Sequence, residues 1–248
     1  MIKKRLTKNE IEKIKSLVRS GKSLNYISQL MSKSKTTIYY YSKQIKGPMY
    51  FPIKINFKDM EPIGEFMGLF AGDGNFHKTK QYHYRVYLFF GPDEKEFMEK
   101  IEFLLFKLFN KKPIRSQRKN LLILYYCSKE LIQFIKSYLL WDKNTKKTYS
   151  VHLMHRDYPD QFKIGFLRGN VDSDGYISEK KIIFDSVSGK LIEDIMFFLD
   201  YFDISYGHYI YNDSRGNRKP IHHVNIRKKD HLKFLKLVKP KNIKKRKI

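Results

Sequence analysis

The sequence predicts an α+β protein in which two pseudo-symmetric αββαββα repeats follow a small all-α helix-turn-helix module. Three observations carry that prediction. The first 46 residues hold three short runs at helical spacing, each opened by a capping residue. From Glu61 the chain repeats itself: "GEFMGLFAGDGNF", starting at Gly64, is matched without a gap by "GFLRGNVDSDGYI", starting at Gly165. The segments behind each copy then follow in the same order.

Thr7-Lys8-Asn9-Glu10 has the form of a capping box, and Ile11, Ile14, Leu17 and Val18 follow at helical spacing. Gly21 stops that helix. Ser23 caps a second helix carrying Leu24, Ile27 and Leu30, and Ser34 caps a third with Ile38, Tyr41 and Ile45 inward. A tight connection between the last two is helix-turn-helix arithmetic. Lys35, Thr36, Thr37, Tyr39, Tyr40 and Lys43 are left outside, residue types suited to phosphates and base edges. A small structural bundle is the alternative reading of the same pattern. Gly47-Pro48 closes the module of residues 1–46, and residues 47–60 read as a linker.

In each repeat the motif helix is followed by two alternating segments, of which "HYRVYLFF" and "EKKIIFDS" are the clearest. A helix comes next, with Phe97, Ile101, Leu104 and Leu108 in one copy and Leu191, Ile195, Leu199 and Phe202 in the other. Two more strand-like segments and a short helix complete each copy. The first repeat is therefore 61–140 and the second 160–240, with an inter-repeat linker at 141–159 and a basic tail at 241–248. Strand alternation puts His83, Arg85 and Tyr87 on one face, and likewise His223, Asn225 and Arg227. Arg115, Gln117, Lys180, Tyr209 and Tyr211 are further candidates for a nucleic-acid face.

Charge names the class of partner. The 248 residues hold 50 Lys and Arg against 25 Asp and Glu, a net +25, which opposes compactness and suits a large polyanion such as double-stranded DNA. With 18 Tyr and 19 Phe there is ample material for a core. Cys127 is the only cysteine, which excludes an internal disulfide and a cysteine-built zinc site. No uninterrupted apolar run is long enough to span a bilayer, and no apolar stretch follows "MIKKRL". The expectation is a soluble intracellular protein, in the cytoplasm or with the nucleoid, with no membrane partner.

The repeated motif carries the chemistry. Gly64, Gly68 and Gly72 share one helix face, and Gly165, Gly169 and Ser173 form the matching face. Each glycine inside a helix costs about 0.5–1 kcal/mol relative to Ala; close packing of the two helices would offset that. Side-by-side packing about a pseudo-twofold axis brings Asp73 and Asp174 together at the helix C-termini. Both the helix dipole and the neighbouring carboxylate disfavour charge there. Divalent cations relieve the repulsion, and oxygen ligands with few other protein donors suit Mg²⁺, two or more ions shared between the aspartates. Such ions beside a basic surface suit in-line phosphodiester hydrolysis.

"FMGLFAGDG" (66–74) and "LRGNVDSDG" (167–175) resemble the two motifs of the LAGLIDADG homing endonucleases in their single-chain form, over roughly residues 61–240. The resemblance implies a saddle of two four-stranded sheets over DNA, a monomer that is an internal pseudo-dimer, and a staggered double-strand break. It implies that Asp73 and Asp174 bind metal. "NTKKTYS" is similar to a Lys-Thr element between the repeats, which makes Lys147 the basic group near the scissile phosphate. Two features depart from the pattern. Asn170 replaces an apolar residue inside the second motif, and the ends of the second strands, "FFGPDE" and "IFDSVS", offer neither the Gln nor the Lys that many relatives place there. A non-catalytic DNA-binding regulator and an RNA-splicing maturase are the alternative functions of such a scaffold.

Overall fold

A computed structural model of the chain describes residues 6–46, 53–78, 84–212, 219–242 and 246–247. His83 and part of the 47–60 linker lie outside these residues. The chain divides into two compact units, residues 1–52 and 53–248.

The first unit contains α1 (Lys8–Arg19), α2 (Leu24–Leu30) and α3 (Lys35–Lys46). Thr7 and Glu10 form the reciprocal capping box, Ser23 accepts from the Tyr26 amide, and Ser34 accepts from that of Thr37. Ile14, Val18, Ile27 and Ile38 form a small core, against which Leu17, Leu24, Tyr41 and Ile45 pack. Leu30, expected inward, is half exposed. It ends a helix of only seven residues, too short to keep three turns against the core.

The second unit opens with a strap at residues 53–57, the end of the expected linker. The amides of Lys54 and Asn56 bond the carbonyls of Phe109 and Leu108, while Ile53 and Ile55 pack on the core. The first repeat then runs α4 (Met60–Ala71), β1 (Gly74–Lys78), β2 (Tyr84–Phe90), α5 (Lys95–Phe109), β3 (Ile114–Arg118), β4 (Leu121–Cys127) and α6 (Lys129–Lys136). The linker between repeats is itself ordered. Its β6 (His152–Leu153) pairs with β5 (Leu139–Leu140) at the end of the first repeat, with α7 (Lys147–Ser150) between them. The second repeat comprises α8 (Asp160–Ser173), β7 (Tyr176–Ser178), β8 (Ile182–Ser186), α9 (Gly189–Tyr201), β9 (Tyr206–Tyr211), β10 (Ile221–Ile226), a 3₁₀ turn and α10 (His231–Val238).

The first sheet has the order β1-β2-β4-β3, with antiparallel neighbours. The second has the same plan, β7-β8-β10-β9, but carries a fifth strand. This is β11 (Arg246–Lys247), parallel to β7 at the edge. Two four-stranded sheets were expected; residues 246–247 of the basic tail add to one of them. Alternation separates the sheet faces. Val86, Leu88 and Phe90 of β2, like Phe184 and Val224 of β8 and β10, point into a core completed by Phe66, Phe70, Phe109, Phe162, Phe166 and Phe198 from the helices. The opposite faces are the more exposed ones.

Candidate active site and nucleic-acid face

The glycine stripes are where α4 and α8 touch. A β-carbon on Gly64 would collide with the carbonyl of Phe162, and one on Gly165 with the carbonyl of Glu61. Gly68 lies against Phe166 and Asn170, and Gly169 against Glu65. Only hydrogen fits at these crossings, so the backbones themselves are in contact. Asn170, the apparent misfit, suits this packing. Its amide donates to the Phe166 carbonyl one turn back at 2.8 Å, which satisfies a buried polar group inside the helix.

The crossing sets the aspartates at one seam. Gly72 ends α4, Asp174 ends α8, and a β-carbon on Gly72 would lie 2.9 Å from Asp174 Oδ2. The Asp174 carboxylate therefore packs against the residue preceding Asp73. Two clefts flank the seam. One, of about 530 Å³, is lined by Asp73, Asn75, Phe89 and Lys147. The other, of about 290 Å³, is lined by Asp174, Asp185 and Ile221. Thr148 borders both.

Lys147 comes to this seam from α7. Its ammonium donates to the carbonyls of Phe70 (2.6 Å), Ala71 (2.7 Å) and Gly72 (3.1 Å), the last carbonyls of the first motif helix. Burial pushes the ammonium down to about 8, against the pull of Asp174 and Asp73. All three of its donors serve the helix end. The negative end of the α4 dipole and the two carboxylates thus have a counter-charge from the chain itself.

Residues 161–238 match the family model of the LAGLIDADG-like domain. The second repeat is a LAGLIDADG-like domain. The fold of the whole unit is the two-repeat LAGLIDADG fold. A structure of I-DmoI in complex with DNA and Ca superposes with a TM-score of 0.56 at 18% identity, covering 73% of this chain and 91% of that one. A variant of I-DmoI, in complex with its target DNA in the presence of Mg, gives 0.57 at 17% identity, covering 73% and 97%. The homing endonuclease I-WcaI, bound to its DNA recognition sequence, gives 0.50 at 16% identity, covering 76% and 88%. These likenesses are of fold. An uncharacterized protein of Methanocaldococcus jannaschii, MJ0398, is 26% identical over 210 residues, 77% of this chain and 70% of that protein.

Behind the seam the LAGLIDADG helices share buried charges. Arg168 of the second helix donates to Glu65 of the first at 3.0 Å, pairs with Glu61 at 2.5 Å and bonds the Val238 carbonyl at 2.6 Å. Lys241 reaches Glu65 from the C-terminal segment at 2.7 Å. The Asp172 carboxylate, pushed up to about 6 by burial, accepts the amides of Lys241 and Asn242. No spacing in the sequence points to this network, since its members come from three separate segments.

The open faces of the LAGLIDADG sheets gather some of the expected residues and not others. Register puts Arg85 and Tyr87 on the open face of the first sheet, beside Asn75, His77 and Tyr125. Arg115 and Gln117 pair with Leu124 and Leu122, on the helix side. Arg115 bonds Glu102 of α5 through two nitrogens, so its charge is spent within the fold. The alternate residues of β3, Ser116 and Arg118, hold the open face instead. In the second sheet Tyr209, Tyr211, His223 and Asn225 share the open face. The Arg227 guanidinium lies over Gly207 on the same side, and Lys180 is exposed in the β7–β8 turn. On α3, Lys35, Thr36, Tyr40 and Lys43 are exposed, whereas the Thr37 hydroxyl is engaged with Ser34 at 2.8 Å.

Among the described residues no three His, Cys, Asp or Glu side chains converge as a metal cage. A cation at the aspartate seam would take most of its ligands from water and phosphate. That fits a hard ion such as Mg²⁺ and does not fit zinc.

Proposed function

We propose that the chain is a site-specific, Mg²⁺-dependent DNA endonuclease that makes a staggered double-strand break by phosphodiester hydrolysis. The juxtaposition of the Asp174 carboxylate with the end of α4, where Asp73 sits in the turn before the first strand, carries this reading. Asp73 and Asp174 would hold the cations, which supply a Lewis acid and a water of lowered pKa. The open sheet faces hold the duplex through aromatic, amide and guanidinium side chains, and the net +25 draws in the phosphates. The three-helix unit at residues 1–46 adds a helix-turn-helix contact through α3. Each repeat supplies one half of the site, so a single chain suffices.

The test is a cleavage selection from randomised duplexes with Mg²⁺. Asp73→Asn and Asp174→Asn should each abolish cutting of the recovered target and leave its binding intact. Full cutting by either variant would remove the paired-carboxylate site.

One observation favours a second reading, a non-catalytic DNA-binding regulator. Lys147 sets a positive charge of the chain itself against the end of α4. If the chain binds DNA equally with and without divalent cation and nicks no sequence, that reading is correct.

A further inference from the structure

The two clefts at the seam are not equivalent. Asn75 of β1 pairs with Tyr87 of β2, and its counterpart Tyr176 of β7 pairs with Ile183 of β8. Two residues further along the second strand of each repeat, the first cleft receives Phe89 and the second receives Asp185. Opposite them on the next strand stand Ile123 and His223. The second half thus has a carboxylate–imidazole pair where the first half has two hydrocarbons. His223 Nδ1 lies 2.5 Å from Asp185 Oδ1, and Tyr209 stacks on the imidazole with centroids 4.8 Å apart. The ring is held on both counts, and Asp185 lines the same cleft as Asp174.

We propose that Asp185, oriented by His223, accepts the proton of the attacking water in the Asp174 half of the site, and that the Asp73 half has no equivalent, so the two DNA strands are cut at unequal rates. This rests on the endonuclease reading. In the step, the water oxygen bonds to phosphorus as its proton passes to Asp185. The bond from phosphorus to the leaving sugar oxygen breaks, that oxygen takes a proton from bulk water, and Asp185 returns its proton to solvent. Asp185 is the catalytic residue and His223 the positioning residue. A purely structural cross-strand pair would support the sheet and would not distinguish the strands.

The ratio of strand rates makes that distinction, because both rates come from one folded molecule. The target recovered from the randomised library carries a different label on each strand, and single-turnover cutting with Mg²⁺ is followed on both. Wild type should cut one strand first and accumulate nicked circles from a supercoiled plasmid bearing the target. Asp185→Asn should slow that strand at least about 100-fold and leave the other within about threefold, with DNA affinity unchanged. His223→Gln, which keeps a donor, should retain more of the rate than His223→Leu. Phe89→Asp should speed the slower strand, a gain that no folding defect produces. Equal strand rates in wild type, or equal slowing of both strands by Asp185→Asn without a gain from Phe89→Asp, would overturn the assignment. Failure of wild type to cut any duplex would instead overturn the endonuclease reading and this proposal with it.

Discussion

Lys147 shows how one side chain can serve the fold and the site together. The sequence offered it as a basic group for the scissile phosphate; the structure gives its three donors to the carbonyls of residues 70–72. Charge-assisted hydrogen bonds are worth about 1.5–3 kcal/mol each against an unmade partner. Because solvent can replace some of them, Lys147→Met should cost about 2–3 kcal/mol in all, read as a lower denaturant midpoint in the absence of DNA and metal. An unchanged midpoint would mean that the ammonium does not hold the helix end. The glycines act at the same scale. At Gly165 an added methyl meets backbone, which cannot rotate away. Gly165→Ala should therefore destabilise the second unit by about 3 kcal/mol or more, at the upper end of overpacking effects, measurable by thermal unfolding.

Among the elements, the two LAGLIDADG helices are joined by contact on one side and by charge on the other. The contact requires small residues every fourth position, which the sequence displays. The charges are a different matter: Glu65 is nearly inaccessible, and Arg168 and Lys241 reach it from two other elements. Removing one member strands the rest in a poor solvent. Arg168→Met should cost about 3 kcal/mol, and adding Glu65→Met should recover part of that loss, since no carboxylate then remains buried. A double variant less stable than Arg168→Met alone would show that the ion pair is a net contributor. The C-terminal segment belongs to this network through Lys241 and Asn242, and Asn242 extends it to Glu94 at the start of α5. The C-terminal segment thus links both repeats.

On the scale of the whole molecule, the charge and the two-unit division predict separable behaviour. A net +25 with several phosphate contacts should make duplex affinity fall about 10³-fold or more between 50 and 200 mM salt. A shallow salt dependence would argue that the open faces do not meet a nucleic acid. Residues 53–248 carry their own core and both sheets. Expressed alone, they should show the same thermal transition as in the full chain, with lower DNA affinity and a smaller salt slope once α3 is gone. Equal affinity for the two forms would remove the first unit from the recognition surface.

The sequence by itself determined the repeat, the order of its elements, the helix stripes that meet and the two aspartates at their ends. These are properties of spacing: a period of four or two residues fixes which side chains share a face, whatever lies elsewhere. The tertiary structure alone decided which face looks where and what crosses between segments. Arg115 could not be assigned from "KPIRSQR", because that edge strand has no apolar alternation; acidic residues of α5 decide its side. The Asp185–His223 pair depends on strand register, the triple engagement of Lys147 on the path of the inter-repeat segment, and the addition of β11 on its meeting the free edge of β7. Each brings together residues far apart in the chain, and no local pattern encodes where such residues meet.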